Sequence, residues 1–345
     1  MNINKLEKIL IDNNQPKFRL SQIKKAIFQA GFFSFLEISN LPKNLREILN
    51  KEISILPFKV KKVLVEKNKK SSKALLELAD GNLLETVLIS PIKNYWTACI
   101  STQVGCPLNC QFCATGKNGF KRNLTAEEIT SQVLFWRQYL NNSQELKNKN
   151  YKLTNIVFMG MGEPFLNWGE TRKSLYILNN LEFFGIGWRN ISISTCGVPE
   201  GIKKMSIEFP QVNLAISLHF ANNEKRSKYM PINNKYELRD LKKALEDYFL
   251  YSKRKVFLEY IMLSGINDTA YDAKDLINFI KSIKQNYLLH VNLIQYNEIS
   301  NKFKPSAKSK IENFKKYLED NHVSVTIRKS LGKEIKGACG QLSAK

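Results

Sequence analysis

The stretch Cys106-Pro107-Leu108-Asn109-Cys110-Gln111-Phe112-Cys113 carries three cysteines spaced C-x3-C-x2-C. Three thiolates on one short loop can ligate three corners of a cubane 4Fe–4S cluster. The fourth iron then stays open to a small molecule, whereas an all-protein site supplies four ligands. A disulfide framework belongs to small secreted scaffolds, and a lysine-rich chain of 345 residues is not one. Zinc asks for a fourth Cys or His close by in the sequence, and none is there.

From about residue 92, apolar runs alternate with helical segments. The pattern predicts strands at Trp96–Ser101, Asn155–Met159, Asn190–Thr195, Val212–Leu218, Val256–Met262, His290–Tyr296 and Val323–Arg328. Helices between them include Glu127–Leu140, Thr171–Leu181, Leu238–Leu250 and Ala273–Lys281. Thr125, with Glu128 three residues on, opens the first as a capping box. Repeated βα units imply an α/β fold with a parallel sheet, open or closed into a partial barrel. Working residues in such folds follow the carboxyl ends of strands. The cysteine loop follows the first strand and Gly160-Met161-Gly162-Glu163-Pro164 the second. Ser194-Thr195-Cys196-Gly197 ends the third, Ser217-Leu218-His219 the fourth, and Asn297 the sixth. One rim gathers them all.

Upstream, residues 1–55 read as a small helical domain, with Leu6, Ile9 and Leu10, then Leu20, Ile23, Ala26 and Ile27, at helical spacing. Residues 56–91 read as a strand-rich connector, with Val60–Val65, Ala74–Leu78 and Leu84–Ile89 as strands, and 92–345 as the core. Lys67–Lys73 reads equally as a solvated hairpin turn or an RNA-facing patch, and Asn141–Lys152 as an exposed polar loop.

The net charge is +22, from 53 Lys and Arg against 31 Asp and Glu. An excess of this size in an enzyme-sized chain favours a polyanionic partner, most often nucleic acid, over a purely solvated surface. No basic amphipathic helix with a bulky aromatic face argues for a membrane surface, and no apolar run approaches the roughly 20 residues that span a bilayer. The first residues lack the apolar core of a signal peptide. Together with six cysteines, this suits a reducing cytoplasm.

Gly160 and Gly162 would let backbone approach a ligand, and Glu163 could accept a bond from an ammonium; a plain tight turn is the simpler alternative. Ser194, Ser217 and His219 could bond a ribose or carboxylate, although a histidine at a strand end is more often structural. Cys339, in Gly337-Ala338-Cys339-Gly340-Gln341, sits between glycines, accessible and suited to reactivity. Cys99 holds a strand position typical of a core residue.

The C-x3-C-x2-C spacing resembles the radical-SAM superfamily, in which S-adenosylmethionine (SAM) chelates the open iron. Gln103-Val-Gly-Cys106, Gly119-Phe-Lys-Arg-Asn-Leu124, Met159-Gly-Met-Gly-Glu-Pro164, Ser194-Thr-Cys-Gly197, Ser217-Leu-His219 and Ala338-Cys-Gly-Gln-Leu342 together resemble the RlmN/Cfr family. These are radical-SAM methyltransferases of ribosomal RNA adenosine, and the Glu-Pro after Met-Gly-Met-Gly favours the RlmN branch, which methylates carbon 2, over the carbon-8 Cfr branch. The resemblance implies a radical-SAM partial (β/α) barrel, with 23S rRNA and tRNA as substrates. It also implies one 4Fe–4S cluster on Cys106, Cys110 and Cys113, two SAM per turnover, and a flavodoxin or ferredoxin as electron donor. A monomer suffices.

By that similarity Cys339 is methylated by one SAM, and a second, cleaved to a 5′-deoxyadenosyl radical, takes a hydrogen from the methyl. The carbon radical adds to the adenine ring, and Cys99 attacks the bridging sulfur, releasing product with a Cys99–Cys339 disulfide. Glu85 matches the proton acceptor; Gly162, Glu163, Ser194, Ser217, Leu218, His219 and Asn297 match the SAM contacts. The interval from Glu85 to Cys99 is one residue longer than usual, and Cys196 has no role in this scheme. Two other classes compete: a sulfur-inserting or protein-activating radical-SAM enzyme, which often carries a second cluster of cysteines, and a non-catalytic RNA-binding module with a structural metal.

Overall fold

The computed structural model describes residues 1–92, 94–142 and 152–344; most of the loop expected at 141–152 lies outside them. The chain opens with helices α1 (Ile3–Asp12), α2 (Phe18–Lys24, continued by a π turn over Lys25–Gln29) and α3 (Lys43–Glu52). Leu6, Ile9, Leu10, Ile23, Ile27, Leu45 and Leu49 are buried, one apolar stripe per helix. Strands β1 (Phe58–Val65), β2 (Ser71–Leu78), β3 (Leu83–Ile92) and β4 (Tyr95–Cys99) follow as an antiparallel meander.

The cysteine loop is closed at its base by a two-stranded ribbon of β5 (Gln103–Gly105) and β6 (Phe120–Asn123), with the short helix α4 (Ala114–Lys117) between. The βα units then run α5 (Ala126–Asn142), β7 (Lys152–Phe158), α6 (Trp168–Asn179), β8 (Ile191–Thr195), α7 (Pro199–Glu208), β9 (Asn213–Ser217), α8 (Asn223–Tyr229), α9 (Leu238–Tyr251), β10 (Val256–Met262), α10 (Ala270–Lys281), β11 (Leu289–Gln295), α11 (Lys308–Asp320) and β12 (Val325–Arg328).

All large-sheet strands join in the order β1-β2-β3-β4-β7-β8-β9-β10-β11-β12, parallel from β4 onward. The parallel part is the expected α/β architecture, and the seven expected strands form within three residues of their expected bounds. The strands of 58–92 extend this same sheet rather than forming a layer of their own. The ladder is open between β1 and β12, yet the chain after β12 returns across that gap. Lys73 Nζ on β2 donates to the Lys336 carbonyl at 3.2 Å, and a Cβ on Gly332 would stand 2.6 Å from Ser71 Oγ. The sheet is therefore curved, and its first and last strands share one mouth.

The one-residue excess between Glu85 and Cys99 that the resemblance implies coincides with a register shift. Val87 pairs with Cys99 and Ile89 with Thr97, but Ile92 pairs with Tyr95, so β3 bulges at Ser90-Pro91, where proline is tolerated. The bulge lies on the turn side, and the register at Glu85 is kept. Helix α5 starts with the expected capping box: Glu128 N–H donates to Thr125 Oγ1 at 3.2 Å and Thr125 N–H to Glu128 Oε2 at 2.9 Å. Its buried Gln132 accepts from Ser101 N–H and donates to Ser101 carbonyl, both at 2.9 Å, fixing the chain between β4 and the cysteine loop. The N-terminal helices dock on the outer end of α5, where Gln138 Nε2 donates to the Phe32 carbonyl (2.7 Å) and Asn141 Nδ2 to the Ala30 carbonyl (2.8 Å).

Lys67–Lys73 lies at the hairpin between β1 and β2, with one correction: Lys73 is buried and ion-paired, outside both the solvated turn and any RNA-facing patch.

Gly105 has φ +78°, and a Cβ there would lie 1.8 Å from the Gly119 carbonyl. The same carbonyl accepts Cys106 N–H at 2.9 Å, which anchors the first ligand. Gly105→Ala should cost about 1–3 kcal/mol through strain and overpacking, read as a lower urea midpoint; an unchanged midpoint would show that this contact does not close the loop.

Candidate active site

The cysteine loop is folded under an apolar lid. Leu108, Cys110 and Phe112 bury against Phe220, Met230, Ile261, Leu263, Tyr296 and Phe303, with Cys106, Cys113 and Cys196 at the margin. Burial pushes the Cys106 thiol up, against the Leu108 N–H that hydrogen-bonds to it. It pushes Cys113 up too, against N–H groups of Gly116 and Thr115. Thiols held neutral this way ionise only when a cation replaces the proton. The N–H groups already in place are the kind that stabilise cluster thiolates.

Cys196, which has no role in the two-cysteine scheme, lies beside Cys110, and its thiol is raised first by the hydrogen bond with Cys110 and then by burial. Even so, no group of three or more His, Cys, Asp or Glu among the described residues is arranged around a single metal ion. A cubane spreads its thiolates over different irons, so this donor set fits a 4Fe–4S cluster on Cys106, Cys110 and Cys113 better than zinc.

Gly162 (φ +103°) approaches Gln103 so closely that a Cβ would sit 2.6 Å from that residue's Cβ. Gln103 Oε1 receives Glu163 N–H at 2.8 Å. The Glu163 carboxylate is engaged on both oxygens, by Phe165 N–H (3.1 Å) and Cys196 N–H (2.8 Å). It thus ties the turn after β7 to the end of β8, and a ligand there would meet main chain first. Burial raises its pKa against those bonds.

Ser194 and Ser217, neighbours on β8 and β9, lie with hydroxyls 3.2 Å apart. Leu218 is buried, and its carbonyl accepts from the buried Arg226. His219 follows the structural alternative: its Nδ1 accepts Ile261 N–H at 3.2 Å, and its ring meets Phe112 edge-on at 5.0 Å. Burial, then Arg226, lowers its pKa to about 3, so the ring is neutral. Asn297 Nδ2 donates to Cys339 carbonyl at 3.1 Å, while its buried Oδ1 has no partner among the described residues. A buried acceptor left open is what a ligand hydroxyl or amine would satisfy.

Cys339 rides on a segment docked over the cysteine loop. Ala114 N–H donates to Gly340 carbonyl (2.8 Å) and Thr115 hydroxyl to Leu342 carbonyl (2.7 Å). Cys339 is exposed as a residue; surrounding atoms still raise its thiol by desolvation, with Arg328 opposing and Glu259 reinforcing. Cys99, at the end of β4, is raised from 9.0 to about 12 by burial and by Cys339, while Arg328 lowers it. The two cysteines and Arg328 therefore share one electrostatic neighbourhood. Arg328 itself pairs with the buried Glu259 at 3.3 Å, and Asn292 donates to the same Glu259 oxygen at 3.0 Å.

Glu85 is buried; Lys73 Nζ holds its Oε1 at 2.6 Å, and Ser343 and Ala344 N–H groups donate to Oε2 at 2.6 and 3.0 Å. The sequence reading missed Lys73, Arg226, Glu259 and Arg328. Only Glu259 carried a signal, a carboxylate inside the apolar run Val256–Met262.

The chain matches the Radical SAM superfamily over residues 100–280 and the ribosomal RNA large subunit methyltransferase N-terminal domain over residues 1–55. It is 41% identical to a probable dual-specificity RNA methyltransferase RlmN of Syntrophomonas wolfei, covering 99% of this chain and 95% of the relative. The chain belongs to the RlmN/Cfr family of radical-SAM RNA methyltransferases. It is also 38% identical to the ribosomal RNA large subunit methyltransferase Cfr of Bacillus velezensis, over 98% of this chain and 95% of that one. The crystal structure of a radical SAM methyltransferase from Sphaerobacter thermophilus superposes with a TM-score of 0.90 at 34% identity, covering 100% of this chain and 98% of the other. The chain is thus a SAM-dependent radical methyltransferase, and the family implies one 4Fe–4S cluster with SAM. No helix among the described residues is long and apolar enough to cross a membrane.

With its pKa near 12, the Cys99 thiol is almost wholly protonated at neutral pH. Its alkylation in the reduced protein should rise about tenfold per pH unit from 7 to 9.5, since only thiolate reacts. A plateau near pH 9 would contradict this.

Proposed function

We propose that this chain methylates carbon 2 of an adenosine in 23S rRNA and in the tRNA anticodon loop, with Cys339 as methyl carrier and Cys99 as the thiol that releases the product. The observation that carries this reading is that Cys339, on the segment after β12, lies within electrostatic reach of Cys99 at the end of β4, with both in the field of Arg328. Cys106, Cys110 and Cys113 would hold the cluster. With SAM bound, the cluster would supply the one-electron chemistry that an electron-poor ring carbon requires, and SAM would supply both the methyl group and the radical.

Once the methyl carbon on Cys339 is bonded to the ring, Cys99 attacks the Cys339 sulfur as thiolate. The sulfur–carbon bond breaks, its electron pair stays with carbon, which takes up a proton, and the sulfurs end as a disulfide. A two-electron thiol reductant must then restore both cysteines, and a flavodoxin or ferredoxin would feed the cluster. Arg328 favours the Cys99 thiolate at that moment, offsetting part of the burial. Glu85 is the proton acceptor for the ring hydrogen, and the unpaired electron left on the adduct would pass to the oxidised cluster, so the adduct is closed-shell before Cys99 attacks. The 1–55 helical domain and the +22 charge support grip on folded RNA through phosphates and shape, and the target base leaves its stack to reach the mouth.

Nucleoside mass spectrometry of RNA incubated with reconstituted enzyme, SAM and reductant should show 2-methyladenosine, and Cys339→Ala should reduce it below detection. 8-Methyladenosine would move the chain to the Cfr branch, and normal turnover by the variant would refute the two-cysteine scheme.

A further inference from the structure

The segment that carries Cys339 is gripped on both sides of the cysteine by one buried ion pair. Lys73 Nζ donates to Lys336 carbonyl at 3.2 Å, three residues before Cys339. The same ammonium pairs with Glu85 Oε1 at 2.6 Å, and Glu85 Oε2 accepts Ser343 and Ala344 N–H groups at 2.6 and 3.0 Å, beyond it. Both side chains are withdrawn from water, 10% exposed for Lys73 and 2% for Glu85.

A buried pair has little net worth as an ion pair. Its value lies in the partners each charge must keep, because an uncompensated charge there is costly. Here those remaining partners are backbone groups of 336, 343 and 344. The pair stands on neighbouring strands β2 and β3, in a register where Lys73 faces Val87 and Leu75 faces Glu85, so it is fixed by the sheet. The segment is also anchored by bonds to Ala114, Thr115, Asn118, Asn297 and the Glu298 carbonyl, none of which is an ion pair.

We propose that Lys73 and Glu85 form a clasp that holds the Cys339 segment against the cysteine loop, which makes Lys73 a positioning residue for Cys339. The inference rests on reading Cys339 as the methyl carrier. It also sets an order of events: with both carboxylate oxygens engaged, Glu85 serves as proton acceptor only after residues 343–344 have left it.

Hydrogen exchange of the cluster-loaded protein without RNA tests the clasp, followed in peptides covering 337–344 and, as an internal reference, Val256–Met262 of β10. Lys73→Met should speed exchange in 337–344 about tenfold by local opening and leave β10 unchanged. Lys73→Arg, which keeps a multidentate cation, should stay near the wild-type rate. Ser343→Pro removes one N–H donor without touching the buried pair and should speed exchange at the neighbouring residues. Unchanged exchange of 337–344 in both Lys73→Met and Ser343→Pro would overturn the proposal. The readout needs no turnover, so a protein that answers this test yet methylates no RNA would overturn the function and leave the clasp standing.

Discussion

The site depends on the docking of the segment after β12 across the open edge of the sheet. The bonds from Ala114 to Gly340 and from Thr115 to Leu342 seat the segment over the cysteine loop, and Lys73 and Glu85 on β2 and β3 hold it on either side of Cys339. β12 is the last strand of the sheet and β4 lies in its middle, so a flat arrangement would set Arg328 and Cys99 far apart. Curvature brings them together, and the returning segment spans the gap. A parallel sheet supplies the rest, because each βα unit delivers one loop to the same rim.

Burial governs the chemistry of the thiols on that rim. Cys99, Cys106 and Cys113 are all pushed up by desolvation, yet their surroundings differ. Cys106 and Cys113 receive backbone N–H groups, the environment of a metal thiolate. Cys99 also receives one, from Met159, but has Arg328 as a counter-charge besides, the environment of a thiol that ionises when called on to attack. Glu163 and His219, both buried, serve mainly to tie strand ends together, so the rim is rigid where the ligand-facing main chain is presented.

Much of this was legible in the sequence. The cysteine spacing, the βα alternation and the motif at each strand end located the rim, because metal ligation and strand periodicity are local properties of the chain. The β5–β6 ribbon was not legible: Gln103–Gly105 is too short for a period and is held by Gly105 meeting Gly119. Lys73 read as the end of a lysine run that was equally a solvated turn or an RNA-facing patch, since its partner Glu85 becomes its neighbour only through the β2–β3 register. Cys196 and Arg328 acquire their neighbours from strands distant in sequence, and no spacing rule anticipates that. Glu85 was legible only through the family resemblance, as a proton acceptor, and its occupancy by residues 343 and 344 is a tertiary fact.

The central claim is that Cys99 and Cys339 work as a pair across this mouth. The most direct measurement is denaturing electrophoresis and mass spectrometry of Cys99→Ala after incubation with SAM, reductant and RNA. The account predicts a covalent protein–RNA adduct through Cys339, with little free methyladenosine and no adduct in the Cys99→Ala/Cys339→Ala double variant. Release of methyladenosine by Cys99→Ala at the wild-type rate, with no adduct, would contradict it.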